Sequence, residues 1–162
     1  MNREKIDPKN MFKFIFDFPN QIEKAVVIGK NIGLRKNYTN MNKIVLAGMG
    51  GSAVGGDLLF LALRNHVTIP FFVSRNYTLP NWIDENSLVI CSSYSGNTEE
   101  TLSSFKEAGS KNAGIIGVTT GGILSSWLEE NECDEITIPG GMQPRAAVGF
   151  SMIPMMFLLT KI

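Results

Sequence analysis

The sequence predicts an α/β fold in which a doubly wound parallel sheet of about five strands is flanked by helices. Two observations predict it: short, continuous apolar runs alternate with helix-length patterns, and glycine-rich stretches follow those runs directly. Parallel strands that are separated by helices need right-handed crossovers, which place helices on both faces of a sheet. The 162 residues suit a single domain with one sizeable core.

The N-terminal part is predicted to be helical. Asp7 and Pro8 suit a helix start, and apolar residues recur at helical spacing from Met11 to Gly29. Pro19 is expected to break this pattern into two helices. The later strands are predicted at residues 43–48, 71–75, 88–92, 114–119 and 134–138, and the later helices at residues 53–64, 98–108, 122–130 and from about residue 144.

Composition excludes several functional classes. Lys and Arg number 15, as do Asp and Glu, so there is no excess charge to attract nucleic acid. Cys91 and Cys133 lack the spacing of a zinc site or a redox motif, which favours a reducing environment. Residues 1–5 are polar, unlike a signal peptide, and no apolar run reaches bilayer length. We therefore expect a cytoplasmic protein without nucleic-acid or membrane partners.

The first candidate ligand site is the glycine-rich segment 48–56, between a strand and a helix. Glycines allow left-handed backbone angles there and let amide groups approach an anion at the helix N-terminus. Ser52 adds a hydroxyl donor. A turn that needs glycine only for packing is the simpler alternative.

The same segment also matches a dinucleotide-binding fingerprint. Gly48, Gly50 and Ala53 occupy its three small positions. The acidic residue that would hold a ribose hydroxyl about 20 positions further on is missing. The next strand instead ends at Arg75, which would suit a 2′-phosphate, so an NADP-linked reductase is one alternative.

The second candidate site is the segment 91–101, which again lies between a strand and a helix. Its closely spaced hydroxyls and the backbone freedom of Gly96 and Asn97 suit an anion-binding nest. An elaborate helix cap is the alternative, because Ser and Thr are favoured there. Hydrogen bonds to a charged group contribute about 1.5–3 kcal/mol each, so hydroxyls and amides can hold a phosphate without a cation.

Residues 93–101 read Ser-Tyr-Ser-Gly-Asn-Thr-Glu-Glu-Thr and resemble the signature of the SIS (sugar isomerase) domain. Residues 48–52 and 143–146 are similar to the bifunctional phosphoglucose/phosphomannose isomerases. The resemblance implies a flavodoxin-like, three-layer SIS domain at residues 43–162, with residues 1–42 forming helices that pack on it.

The resemblance also implies the ligand and its contacts. The ligand would be glucose 6-phosphate, mannose 6-phosphate or fructose 6-phosphate, without a cofactor or a metal. Arg145 would match the catalytic arginine of the family, because a fixed guanidinium facing C1 and C2 stabilises the charge of a cis-enediolate. The residues that would hold the phosphate are Gly50, Gly51, Ser52, Ser93, Ser95 and Thr98.

The resemblance further implies that the proton-transfer groups come from a second SIS domain. Within this chain, Glu99 and Glu100 suit stabilisation of a helix N-terminus, and His66 suits a helix C-terminus. We therefore expect the N-terminal half of a hexose 6-phosphate isomerase that lacks the base on its own. Apolar surface on the first and last helices predicts pairing with a second copy or a second SIS domain. A stand-alone phosphosugar-binding or regulatory module is the alternative function.

Overall fold

The computed structural model describes residues 6–162, so the polar residues 1–5, on which the expectation of no signal peptide rests, lie outside the described residues. The strands are β1 (Lys43–Gly48), β2 (Phe71–Ser74), β3 (Ser87–Ser93), β4 (Gly114–Thr119) and β5 (Asp134–Thr137). They form one parallel, five-stranded sheet in the order β2-β1-β3-β4-β5. This order reverses between β1 and β3, as in a doubly wound sheet, and confirms the predicted fold class.

The helices cover both faces of the sheet. They are α1 (Met11–Phe16), α2 (Phe18–Lys30), α3 (Gly50–Leu63), α4 (Glu99–Ser110), α5 (Gly122–Glu130) and α6 (Val148–Leu159), with a 3₁₀ turn at Pro144–Ala146. Alternate strand residues point to opposite faces. Accordingly, Leu46 packs in one core with residues of α2, α3 and α6, whereas Val45 packs in a second core with residues of α4 and α5.

The N-terminal helices start differently from the prediction. The Asp7 carboxylate accepts a hydrogen bond from the Met11 amide at 2.6 Å, so Asp7 precedes α1 and its side chain caps the helix. The two expected helices are present, but they meet at Asp17. Pro19 lies in the first turn of α2, where a missing amide hydrogen costs nothing.

Two later helix starts also differ. The helix predicted to begin at Ala53 begins three residues earlier, at Gly50. The last helix was expected near Pro144, but that residue opens the 3₁₀ turn and α6 begins at Val148.

The segment between α2 and β1 is fastened to β5 by one buried carboxylate. Asp134 is 3% exposed and accepts hydrogen bonds from the amides of Arg35, at 2.9 Å, and Lys36, at 3.2 Å. The Tyr38 hydroxyl donates to it at 2.9 Å. A loop without secondary structure is therefore held by charge-assisted hydrogen bonds.

Cys91 and Cys133 are both free and buried. Across residues 6–162, no helix has the length and apolar character needed to cross a membrane.

Candidate functional site

The two predicted ligand loops meet at one edge of the sheet. β1 and β3 are neighbours, and Gly48 pairs with Ser92 at their carboxyl ends. The loops that follow therefore begin side by side. They are joined directly, because the Ser52 hydroxyl oxygen accepts a hydrogen bond from the Tyr94 amide at 3.2 Å.

The first loop leads from β1 into α3, and neighbouring atoms leave no space for a side chain at Gly48. A Cβ added at Gly48 would lie 2.8 Å from the carbonyl oxygen of Ser92, so only glycine fits between the two strands. Gly50 is exposed and has a φ of 50°, in the left-handed region that glycine favours. Gly50 and Gly51 thus form the N-terminus of α3, where amide groups have no helical partner.

The Ser93, Ser95 and Thr98 hydroxyls of the second loop lie in different environments. Ser93 is fully buried, and its hydroxyl lies 2.8 Å from that of Thr98. Ser95 is exposed, and its hydroxyl oxygen accepts a hydrogen bond from the Asn97 amide at 3.2 Å. Thr98 precedes α4, but its side chain makes no capping hydrogen bond to the helix, so helix capping does not account for the Thr98 hydroxyl.

A third loop, between β4 and α5, supports the second one and was not singled out from the sequence. Gly96 has a φ of 70°, and a Cβ added there would lie 1.7 Å from the carbonyl oxygen of Gly121. The Asn97 side chain accepts a hydrogen bond from the Ile123 amide at 3.0 Å. The sequence feature that could have identified this loop is Thr-Thr-Gly-Gly at residues 119–122, which directly follows an apolar strand.

Arg145 lies beside the first loop. A Cβ added at Gly51 would lie 2.7 Å from the carbonyl oxygen of Pro144 and 3.1 Å from the Arg145 amide nitrogen. The Arg145 side chain is exposed, and within the described part of the chain it forms no ion pair and no hydrogen bond. Its guanidinium is therefore available to a ligand.

The candidates for proton transfer lie in different places. The Glu99 carboxylate is at the site edge and accepts a hydrogen bond from the exposed Tyr77 hydroxyl at 3.2 Å. This hydrogen bond and the charge of Glu100 raise the pKa of Tyr77. His66 lies at the opposite edge of the sheet, where it lines a cavity of 740 Å³ together with Ile44 at the start of β1. His66 therefore takes no part in the candidate site.

The cation expected for a dinucleotide site is already paired within the chain. Arg75, the residue that would meet a 2′-phosphate, forms an ion pair with Asp57 of α3. As for metals, residues 6–162 contain no group of three or more His, Cys, Asp or Glu side chains placed to hold an ion.

Comparisons with known proteins agree with the resemblance seen in the motifs. A family model described as SIS domain matches residues 37–160. The bifunctional phosphoglucose/phosphomannose isomerase of Caldicellulosiruptor bescii is 49% identical over 152 residues, which cover 94% of this chain and 45% of that protein. The protein of the same name from Aquifex aeolicus is 36% identical over 152 residues, covering 93% of this chain and 45% of that protein.

Solved structures show the same fold. Tagatose-6-phosphate ketose/aldose isomerase from Escherichia coli superimposes with a TM-score of 0.67 at 16% identity, covering 93% of this chain and 46% of that chain. The chain thus spans about half the length of the curated relatives it matches.

Proposed function

This chain belongs to the SIS domain family, and from that membership we propose that it is the sugar-phosphate-binding half of an isomerase that interconverts hexose 6-phosphates. The hydrogen bond between the Ser52 hydroxyl and the Tyr94 amide carries the proposal. It brings two loops rich in amides and hydroxyls so close together that one phosphate dianion can contact both.

The phosphate is held without a cation in this proposal. The N-termini of α3 and α4 both point to this edge of the sheet, and helix N-termini favour anions. The amides of Gly50 and Gly51 donate from one side, and the hydroxyls of the second loop donate from the other. The directly contributing hydroxyls are those of Ser52 in the first loop and of Ser95 and Thr98 in the second, and the buried Ser93 hydroxyl, which lies 2.8 Å from that of Thr98, contributes through Thr98.

Arg145 is proposed to act on the reacting carbons. Aldose–ketose isomerisation passes through a cis-enediolate, and a fixed guanidinium lowers the energy of that negative charge. Arg145 suits this role because it has no partner among the described residues and lies beside the phosphate loops. Glucose 6-phosphate, mannose 6-phosphate and fructose 6-phosphate are the proposed substrates.

The base that moves the proton is proposed to come from a second SIS domain or a second copy of this chain. Large apolar side chains are exposed on α1, where Ile15 and Phe16 are 64% and 80% exposed, and on one face of α3, where Val54, Leu58 and Leu61 are exposed. Both helices contact the 3₁₀ turn that carries Arg145. A partner on this surface would therefore lie next to Arg145. The side chains of α6, in contrast to the prediction, are buried or half-buried.

A cytoplasmic location is part of the same proposal. Hexose 6-phosphates carry charge that prevents them from crossing membranes, and the two buried thiols remain unpaired.

The replacement of Ser95 and Thr98 together by Ala tests the phosphate site. We expect the affinity for fructose 6-phosphate to fall by about tenfold or more per lost hydrogen bond to the dianion, measured by isothermal titration calorimetry. Ser110→Ala is the matched control, because it removes an exposed hydroxyl at the other end of α4. NADPH should not bind. An unchanged affinity in the double variant would remove the second loop from the proposal.

A further inference from the structure

The main chain and the hydroxyl of Tyr94 both form hydrogen bonds to other segments of the candidate site. Its amide donates to the Ser52 hydroxyl of the first loop at 3.2 Å. Its carbonyl oxygen accepts hydrogen bonds from the hydroxyl of Thr120, at 2.8 Å, and from the amide of Thr120, at 3.2 Å. The main chain of Tyr94 therefore joins the loops that follow β1, β3 and β4.

The Tyr94 hydroxyl reaches a fourth segment, which leads from β5 to Arg145. It donates to the carbonyl oxygen of Pro139 at 3.1 Å and accepts from the amide of Met142 at 3.0 Å. In residues 6–162, these two are the hydrogen bonds that residues 139–142 form. One hydroxyl thus brackets Gly140 and Gly141, both exposed, the second with a φ of 86°.

This arrangement has a consequence for Arg145. A glycine pair gives the main chain unusual freedom, and the 3₁₀ turn that carries Arg145 begins two residues after Met142. The contact with Gly51 limits the turn from the side of the first loop. The Tyr94 hydroxyl limits it from the side of the second loop.

We infer that Tyr94 is a positioning residue that holds the Arg145 segment over the proposed phosphate site, an inference that rests on the proposed function of that site. Its main chain belongs to the loop that binds phosphate, and its hydroxyl fixes the segment that meets the sugar. The contribution of Arg145 to sugar-phosphate binding therefore depends on this hydroxyl, whereas binding of bare phosphate does not.

Tyr94→Phe tests the inference, because it keeps the ring and removes both hydrogen bonds. Titration with inorganic phosphate should give a Kd within about twofold of the unaltered chain, whereas the Kd for fructose 6-phosphate should rise about tenfold. Arg145→Ala should show the same pattern. The variant with both changes should bind fructose 6-phosphate no more weakly than Arg145→Ala alone. Both substitutions remove the same contribution of Arg145, and the effects of such coupled substitutions are not additive. Tyr77→Phe, which removes an exposed tyrosine hydroxyl at the same edge, is the control.

A second measurement needs no ligand. Amide hydrogen exchange should be about tenfold faster in residues 139–147 of Tyr94→Phe, while residues 48–56 should be unchanged. An equal loss of affinity for phosphate and fructose 6-phosphate, or additive losses in the double variant, would overturn the inference. If the unaltered chain binds neither ligand, the proposed function fails, and the exchange rates alone test the positioning role. Exchange in residues 139–147 of Tyr94→Phe that equals that of the unaltered chain overturns this role. Faster exchange that is confined to these residues supports it.

Discussion

The carboxylate of Asp134 illustrates how much a single buried residue contributes. Burial acts to raise the pKa of Asp134, but hydrogen bonds from the Arg35 amide, the Tyr38 hydroxyl and the Lys36 amide outweigh burial and lower it. A carboxyl with a lower pKa in the folded state stabilises that state above the pKa of the unfolded chain. This contribution is lost as the pH falls through the folded-state pKa.

We expect Asp134→Asn to lower the free energy of unfolding at pH 7 by about 2–3 kcal/mol, because an amide cannot accept hydrogen bonds with both terminal atoms. The difference from the unaltered chain should shrink below about pH 4, where the unfolded carboxyl becomes protonated. Urea unfolding between pH 7 and pH 3 measures it. Asp57→Asn, which breaks only the half-exposed ion pair with Arg75, should change stability by less than about 1 kcal/mol. A difference that is independent of pH would contradict the role of the Asp134 charge.

Residue types at the site were predictable, but their orientations were not. Hydroxyls and glycines directly after apolar strands are a chemical signal, and for that reason Ser52, Ser95 and Thr98 were singled out. Sequence spacing does not encode that the Ser93 hydroxyl turns inward to Thr98, since this depends on side-chain rotamers and neighbouring loops. Their binding roles remain predictions.

Between elements, the packing of the loop after β3 on the loop after β4 depends on Gly96. Its positive φ and the 1.7 Å approach of an added Cβ to the carbonyl oxygen of Gly121 leave no room for a side chain. We expect Gly96→Ala to destabilise the protein by at least about 1–3 kcal/mol, because the strained backbone angle and the clash add. It should also abolish phosphate binding, since the second loop has to move. Thermal unfolding and calorimetric titration measure the two effects.

Gly109→Ala is the matched control for that prediction. Gly109 lies near the end of α4, is exposed, and has no atom within 4 Å of an added Cβ. Alanine there should raise stability by about 0.5–1 kcal/mol because it favours the helix. Equal effects of the two substitutions would show that Gly96 has no special role.

Strands were easier to predict than helix starts. The three central strands, β1, β3 and β4, follow continuous apolar runs, which burial inside a parallel sheet favours. The start of α3 was missed by three residues because Gly50–Ser52 have poor helix propensity, and tertiary contacts with the 3₁₀ turn outweigh it. No sequence pattern indicated the cavity near His66, because the apolar residues that line it come from distant parts of the chain.

For the whole molecule, the proposed pairing surface gives the last prediction. Three apolar residues of α3, Val54, Leu58 and Leu61, lie on one helical face and are 39–56% exposed. We expect the chain alone to self-associate through this face, because two copies that meet there remove apolar surface from water. Sedimentation equilibrium should show a concentration-dependent dimer, and the joint change of Leu58 and Leu61 to Lys should leave a folded monomer. Ile123→Lys, on the opposite side of the sheet, should remain dimeric. A monomer at high concentration in the unaltered chain would exclude the homodimer and leave a second SIS domain as the proposed partner of this surface.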